Sequence, residues 1–101
     1  MKPQKQQIQV QLDEKVGEGI YANLALITHS PAEVVIDFAR MMPGLMKATV
    51  QSRIIMTPQH AKQLHLALSD NIKKYEDQFG EIKLMQKDSE KSFGFRPPTE
   101  E

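Results

Sequence analysis

The segment Thr57-Pro58-Gln59-His60-Ala61-Lys62-Gln63-Leu64 divides the chain into a region that reads as strands and one long helix. Thr57 is a favoured N-cap, because its hydroxyl can accept from an amide left free in the first turn. Pro58 falls on the first helical position, where its missing N–H costs nothing. From there Ala61, Leu64, Leu68, Ile72, Tyr75 and Phe79 recur at spacings of 3, 4, 4, 3 and 4, a single apolar stripe. Leu66 and Ala67 are expected to widen it, and the charges within Asn71–Asp77 to lie opposite. Gly80 follows as an expected left-handed C-cap. The spacing predicts a helix from about Pro58 to Phe79.

Upstream, the pattern changes to period two. Ile8, Val10 and Leu12 alternate with Gln7, Gln9, Gln11 and Asp13, which predicts a half-buried strand. A charged segment with Gly17 and Gly19 then reads as a loop. Ile20–Thr28 is rich in strand formers and apolar on both faces, so it is expected to be covered on both sides. One helix covers only one face of a sheet, so the second cover is expected to be another subunit.

His29-Ser30-Pro31-Ala32-Glu33 is turn chemistry. Ser30 to Glu33 also fits a capping box with Pro at the first helical position. The following Val34-Val35-Ile36-Asp37-Phe38-Ala39 favours a strand, because β-branched residues lose side-chain freedom in a helix. Pro43-Gly44 marks the next turn. Lys47–Met56 is the longest strand candidate, with Ala48, Val50, Ser52, Ile54 and Met56 expected on one face. Glu81–Met85 is expected to be a short edge strand or arm. The resulting expectation is an α+β domain, a four-stranded antiparallel sheet followed by one long amphipathic helix packed on it. Its extent is 7–85, with a disordered segment at 1–6 and a flexible tail at 86–101.

Composition narrows the function classes. Of 101 residues, 40% are apolar and 26% charged, as in a globular domain with a modest core. Thirteen basic residues balance thirteen acidic ones, which removes the field that would draw the chain to a polyanion and makes self-association easier. Nucleic-acid binding through Arg53, Lys62, Lys73 and Lys74 is thus a weak alternative, diluted further by Glu76 and Asp77. There is no cysteine, so disulfides, thiolate chemistry and Cys-ligated zinc are excluded. The polar N-terminus is neither a signal peptide nor a membrane anchor, and a cytoplasmic location is the expectation.

Few residues carry chemistry. His60 and His65 are five apart on the helix and point in nearly opposite directions, and His29 lies in a turn, so no metal and no cofactor is expected. Nucleophile, phosphate-loop and dinucleotide motifs are missing. Asp37, near Arg40 and Arg53 in the strand pattern, is read first as half of an ion pair orienting the sheet or an interface. The rival is a small-ligand or enzymatic site on the sheet face, built from Tyr21, Asn23, His29, Asp37 and Arg53. Gln59, His60 and Lys62, at the helix N-terminus, stand where an anion can bind. The adjacent methionines Met41 and Met42 are adaptable apolar surface. With Leu24, Leu26 and Ile27 on the strand, and Phe93 and Phe95 in the tail, they form the expected interface.

The segments Ile20-Tyr21-Ala22-Asn23, His29-Ser30-Pro31-Ala32-Glu33 with Asp37-Phe38, Ser52 to Lys62, and Asn71 to Glu76 with Phe79-Gly80 carry a resemblance. The chain resembles a small bacterial and archaeal family of roughly hundred-residue proteins of unknown function, a likeness that implies no activity. Four antiparallel strands followed by a long helix are also similar, in topology alone, to a subunit of the bacterial export chaperone that holds unfolded preproteins. The expectation for function is a non-enzymatic, homo-oligomeric protein-interaction or assembly module, with a chaperone-like role as one form of it.

Overall fold

The computed structural model of the chain describes residues 7–44 and 46–84. The expected disordered segment 1–6, the tail 86–101 and its Phe93 and Phe95 lie outside those residues. The elements are a short 3-10 turn at Val16–Glu18, strands β1 (Leu24–His29), β2 (Val34–Met41) and β3 (Ala48–Met56), and helix α1 (Pro58–Phe79). The strands form an antiparallel meander in the order β1-β2-β3.

The class is the expected α+β, but the sheet has three strands among the described residues, where four were expected. Residues 7–13 alternate as a strand should, yet among the described residues they join no strand, and Ile8 and Val10 are 84% and 90% exposed. Alternation gives a segment one apolar side, but a strand also needs a neighbour for its backbone groups. Residues 20–23 likewise stay outside β1. Residues 81–84 form no strand either, and the amide of Ile82 donates to the Glu76 carboxylate at 3.0 Å.

The β1–β2 turn follows its sequence. The Ser30 amide donates to the Glu33 carbonyl at 2.9 Å. Its hydroxyl accepts from the amides of Ala32 and Glu33 at 3.2 Å each. Ser30 thus closes a hairpin turn instead of starting a helix, and the β-branched run enters β2. Between β2 and β3, Gly44 has a φ of 82°, which residues with a Cβ rarely adopt.

The register defines two faces. On one, Ile36 and Phe38 lie beside Ile27, Ala25, Ile54 and Ser52; on the other, Asp37 and Ala39 lie beside Leu26, Leu24, Arg53 and Val50. A bulge intervenes, because Phe38 pairs with Ser52 while Ala39 pairs with Val50. The extra residue, Gln51, sends Ala48 and Val50 to the Asp37 face and leaves Ser52, Ile54 and Met56 on the Ile36 face. This corrects the expectation that all five share one face, since a bulge interrupts strict alternation.

Helix α1 has the predicted bounds. Its last turn is closed by the Gly80 amide bonding to the Glu76 carbonyl at 2.8 Å. With φ 102° and ψ 167°, Gly80 is extended in a glycine-only region and is not the left-handed cap expected. Leu66 does not widen the stripe: two residues from Leu68, it stands about 200° around the axis. Tyr75 and Phe79 stack at 4.9 Å between ring centroids, and Lys74 pairs with Asp70 at 3.2 Å on the solvated side.

The largest departure concerns packing. No residue of α1 is buried, and its stripe is exposed from 40% at Leu64 to 65% at Phe79. The helix therefore does not cover the sheet of its own chain. Among the described residues only Ile36, Asp37 and Ala39 are buried, and all three lie on the central strand β2.

Candidate functional site

The polar residues singled out in the sequence do not form one site. Asp37 and Arg53 are opposite each other on β2 and β3. The Arg53 guanidinium donates through Nε to Oδ1 at 2.7 Å and through Nη2 to Oδ2 at 3.0 Å. The fork geometry satisfies both carboxylate oxygens at once. Asp37 is 1% exposed, whereas the Arg53 side chain keeps 34% of its surface. The hydrogen bond from Arg53 holds the Asp37 carboxyl below its ordinary value; burial opposes this, and the charge of Arg53 reinforces it. Water cannot touch the carboxylate, but the seal is its immediate neighbours and not depth, since the same face leaves Ile55 exposed. An ionised carboxylate already gripped by a guanidinium is poorly suited to accept a proton in catalysis.

The other residues have separate positions. His29 ends β1 on the opposite face from Asp37, paired with Val34. Tyr21 is exposed, with the Arg40 guanidinium carbon 5.9 Å above its ring centroid. Arg40, read as a second partner for Asp37, thus faces an aromatic ring. The Asn23 side chain acts as a strand peptide: Nδ2 donates to the Met41 carbonyl at 3.0 Å and Oδ1 accepts from the Met41 amide at 2.9 Å. Its own amide donates to the Ala39 carbonyl at 3.0 Å, so Asn23 extends the β1–β2 ladder one residue ahead of Leu24, where β1 begins.

His60 has a structural partner that went unrecognised in the sequence. Thr57 Oγ1 accepts from the His60 amide at 3.1 Å and lies 2.8 Å from its ring Nδ1. The Thr57 hydroxyl thus caps the helix and also meets the imidazole, in place of the reciprocal bond to the Thr57 amide that a full capping box would make. Thr and His three residues apart after a strand were the signal. With the His60 amide used by the cap, the N-terminus of α1 loses a donor that an anion would need. Lys62 is exposed on α1.

An apolar trough lies elsewhere. A trough of about 680 Å³ opens on the Ile36 face, lined by Ile20, Ala22, Phe38, Ser52 and Ile54 and by the Lys15–Gly19 turn. None of the polar candidates lines it. Its walls are apolar, with Lys15 and Glu18 the charged residues among them. Of the expected interface residues, Leu24 and Leu26 are half-buried on the Asp37 face, and Ile27 is exposed on the Ile36 face. Met41 is half-buried, and Met42 is exposed beside it. Among the described residues no group of His, Asp or Glu is arranged to hold a metal ion, and no helix is long and apolar enough to cross a membrane.

The architecture and surface define a small α+β chain with a three-stranded antiparallel meander, an uncovered amphipathic helix and an apolar trough. The sequence profile of a family described as "protein of unknown function (DUF3467)" matches residues 1–84, and the chain belongs to that family. No curated protein and no solved structure matches it.

Proposed function

We propose that the protein is a non-enzymatic, homo-oligomeric interaction and assembly module. The observation that carries this is the bare stripe of α1. Fully burying one large apolar side chain is worth about 1.5–3 kcal/mol, so five half-exposed ones leave several kcal/mol ungained. That amount is comparable with the whole stability of a small domain, about 5–15 kcal/mol. A chain with three buried residues among those described gains that stabilisation by covering the stripe with another molecule. The Asp37 face, with Ile55 and Val50 exposed, offers further apolar surface for assembly. The rival reading of a polar ligand site is weakened by the same geometry, since its residues are engaged with one another or lie on opposite faces.

Light scattering at micromolar concentration tests the proposal. The expected mass is at least twice the 11.5 kDa of one chain. A strict monomer that keeps its helix content contradicts it.

A further inference from the structure

The junction between β3 and α1 restricts where the helix can go. Strand β3 ends at Met56 and α1 begins at Pro58, so Thr57 alone connects them, with φ −70° and ψ 156°. Connections between strands and helices in α/β units usually run to about 2–6 residues, which gives the chain room to turn and lay the helix back on its sheet. One extended residue followed by a proline gives little such room, and α1 buries none of its residues. The stripe and the sheet of one chain are thus complementary surfaces that their own connection keeps apart. Exchange of an element between identical copies is the usual resolution when a hinge is this short.

We infer that α1 of one copy docks, stripe inward, along the Ile36 face of a second copy, whose own α1 docks in return. The inference rests on the homo-oligomeric reading above and names its surfaces. Lengths agree: 22 helical residues span about 33 Å and a nine-residue strand about 30 Å. The choice of face follows from where the charge sits. The middle of the Ile36 face presents Ala25, Ile27, Phe38, Ser52 and Ile54 and continues into the apolar trough, while its charged or titratable residues, Arg40 over the Tyr21 ring and His29, lie toward opposite ends of β2. The Asp37 face presents the partly exposed Arg53 guanidinium, which a docking helix would strip of water. Reciprocal burial of two stripes and two sheet faces removes on the order of 2,000 Å² from solvent, the size of a stable protein–protein interface.

The chain contains no cysteine, so single thiols can be placed without background. Chains carrying Leu68→Cys are mixed with chains carrying Ile54→Cys, both positions being exposed in the single chain, and treated with a short bismaleimide. A covalent dimer from this mixture is expected. Leu68→Cys mixed with Ile55→Cys, on the opposite face, is expected to give at least tenfold less, and Leu68→Cys alone likewise. Preferential linkage to Ile55→Cys, or efficient linkage of Leu68→Cys to itself, overturns the docking. So does the absence of any linkage while light scattering shows an oligomer, which leaves the homo-oligomeric reading intact. A monomeric mass for the unsubstituted chain overturns both.

Discussion

Strand β2 and helix α1 are both strongly patterned, yet the chain treats them oppositely. Among the described residues the three buried ones, Ile36, Asp37 and Ala39, all lie on β2, which has a hydrogen-bonded neighbour on each side. The 22 residues of α1 contain none. The difference lies in what each needs. A central strand is satisfied by hairpins, which short turns at Ser30–Glu33 and Pro43–Gly44 provide locally. An amphipathic helix satisfies its own backbone but must find a second surface for its stripe. Within one chain β2 has what it needs and α1 does not.

Breaking the helix side of this contrast should have the largest effect. Replacing Leu68 and Ile72 with Asp puts two charges in the middle of the stripe, and burying an unpaired charge is prohibitive. The oligomer should dissociate, with loss of several kcal/mol and of cooperative unfolding. Gln63→Glu, on the opposite side of α1, should leave mass and unfolding unchanged. If the double variant keeps the mass of the unsubstituted protein, the stripe is not the interface.

On the strand side the expected effect is smaller. Asp37→Ala removes the carboxylate from Arg53, but Arg53 is partly exposed and can reach water, so the cost should be about 1–3 kcal/mol. Chemical denaturation at neutral pH measures it. The pH dependence has a definite sign. Asp37 has a carboxyl held below its ordinary value of 3.8, so its pair stabilises fully above that value. The contribution is lost as pH falls from 3.8 through the lowered folded value. The stability difference between the protein and Asp37→Asn should therefore be flat from neutrality down to about pH 5 and close only in stronger acid. A difference that closes between pH 7 and pH 5 would point to another group.

The smallest effect is expected at the junction. Thr57→Ala removes the acceptor for the His60 amide and should cost about 1 kcal/mol, read as a lower melting temperature. Since the cap shapes the end of α1 without covering its stripe, the mass should not change. A lost oligomer in Thr57→Ala would mean that the junction, and not the stripe, controls assembly.

How much of this was legible in the sequence depended on the range of the interaction involved. Thr57, Pro58 and the recurrence from Ala61 to Phe79 determine α1 locally, and its bounds were read correctly. The β-branched run after Ser30 likewise identified β2, and Asp37 read as half of an ion pair, with Arg40 and Arg53 both in view as partners. Ile8, Val10 and Leu12 misled because alternation is a property of one segment and pairing a property of two. The bulge at Gln51 escaped because it depends on register against Phe38 and Ala39. Asn23 looked like a binding residue because its amide copies a peptide, and only the position of Met41 shows which peptide it pairs with. The clue to the uncovered helix was present in the spacing: a single residue separates Met56 from Pro58.

The central claim, that a second copy covers the stripe of α1, is tested most directly by solution mass over a dilution series, with helix content followed in parallel. The account predicts at least two chains per particle at micromolar concentration, and loss of helix signal in step with dissociation on dilution. A mass of 11.5 kDa at every concentration, with the helix signal intact, would contradict it.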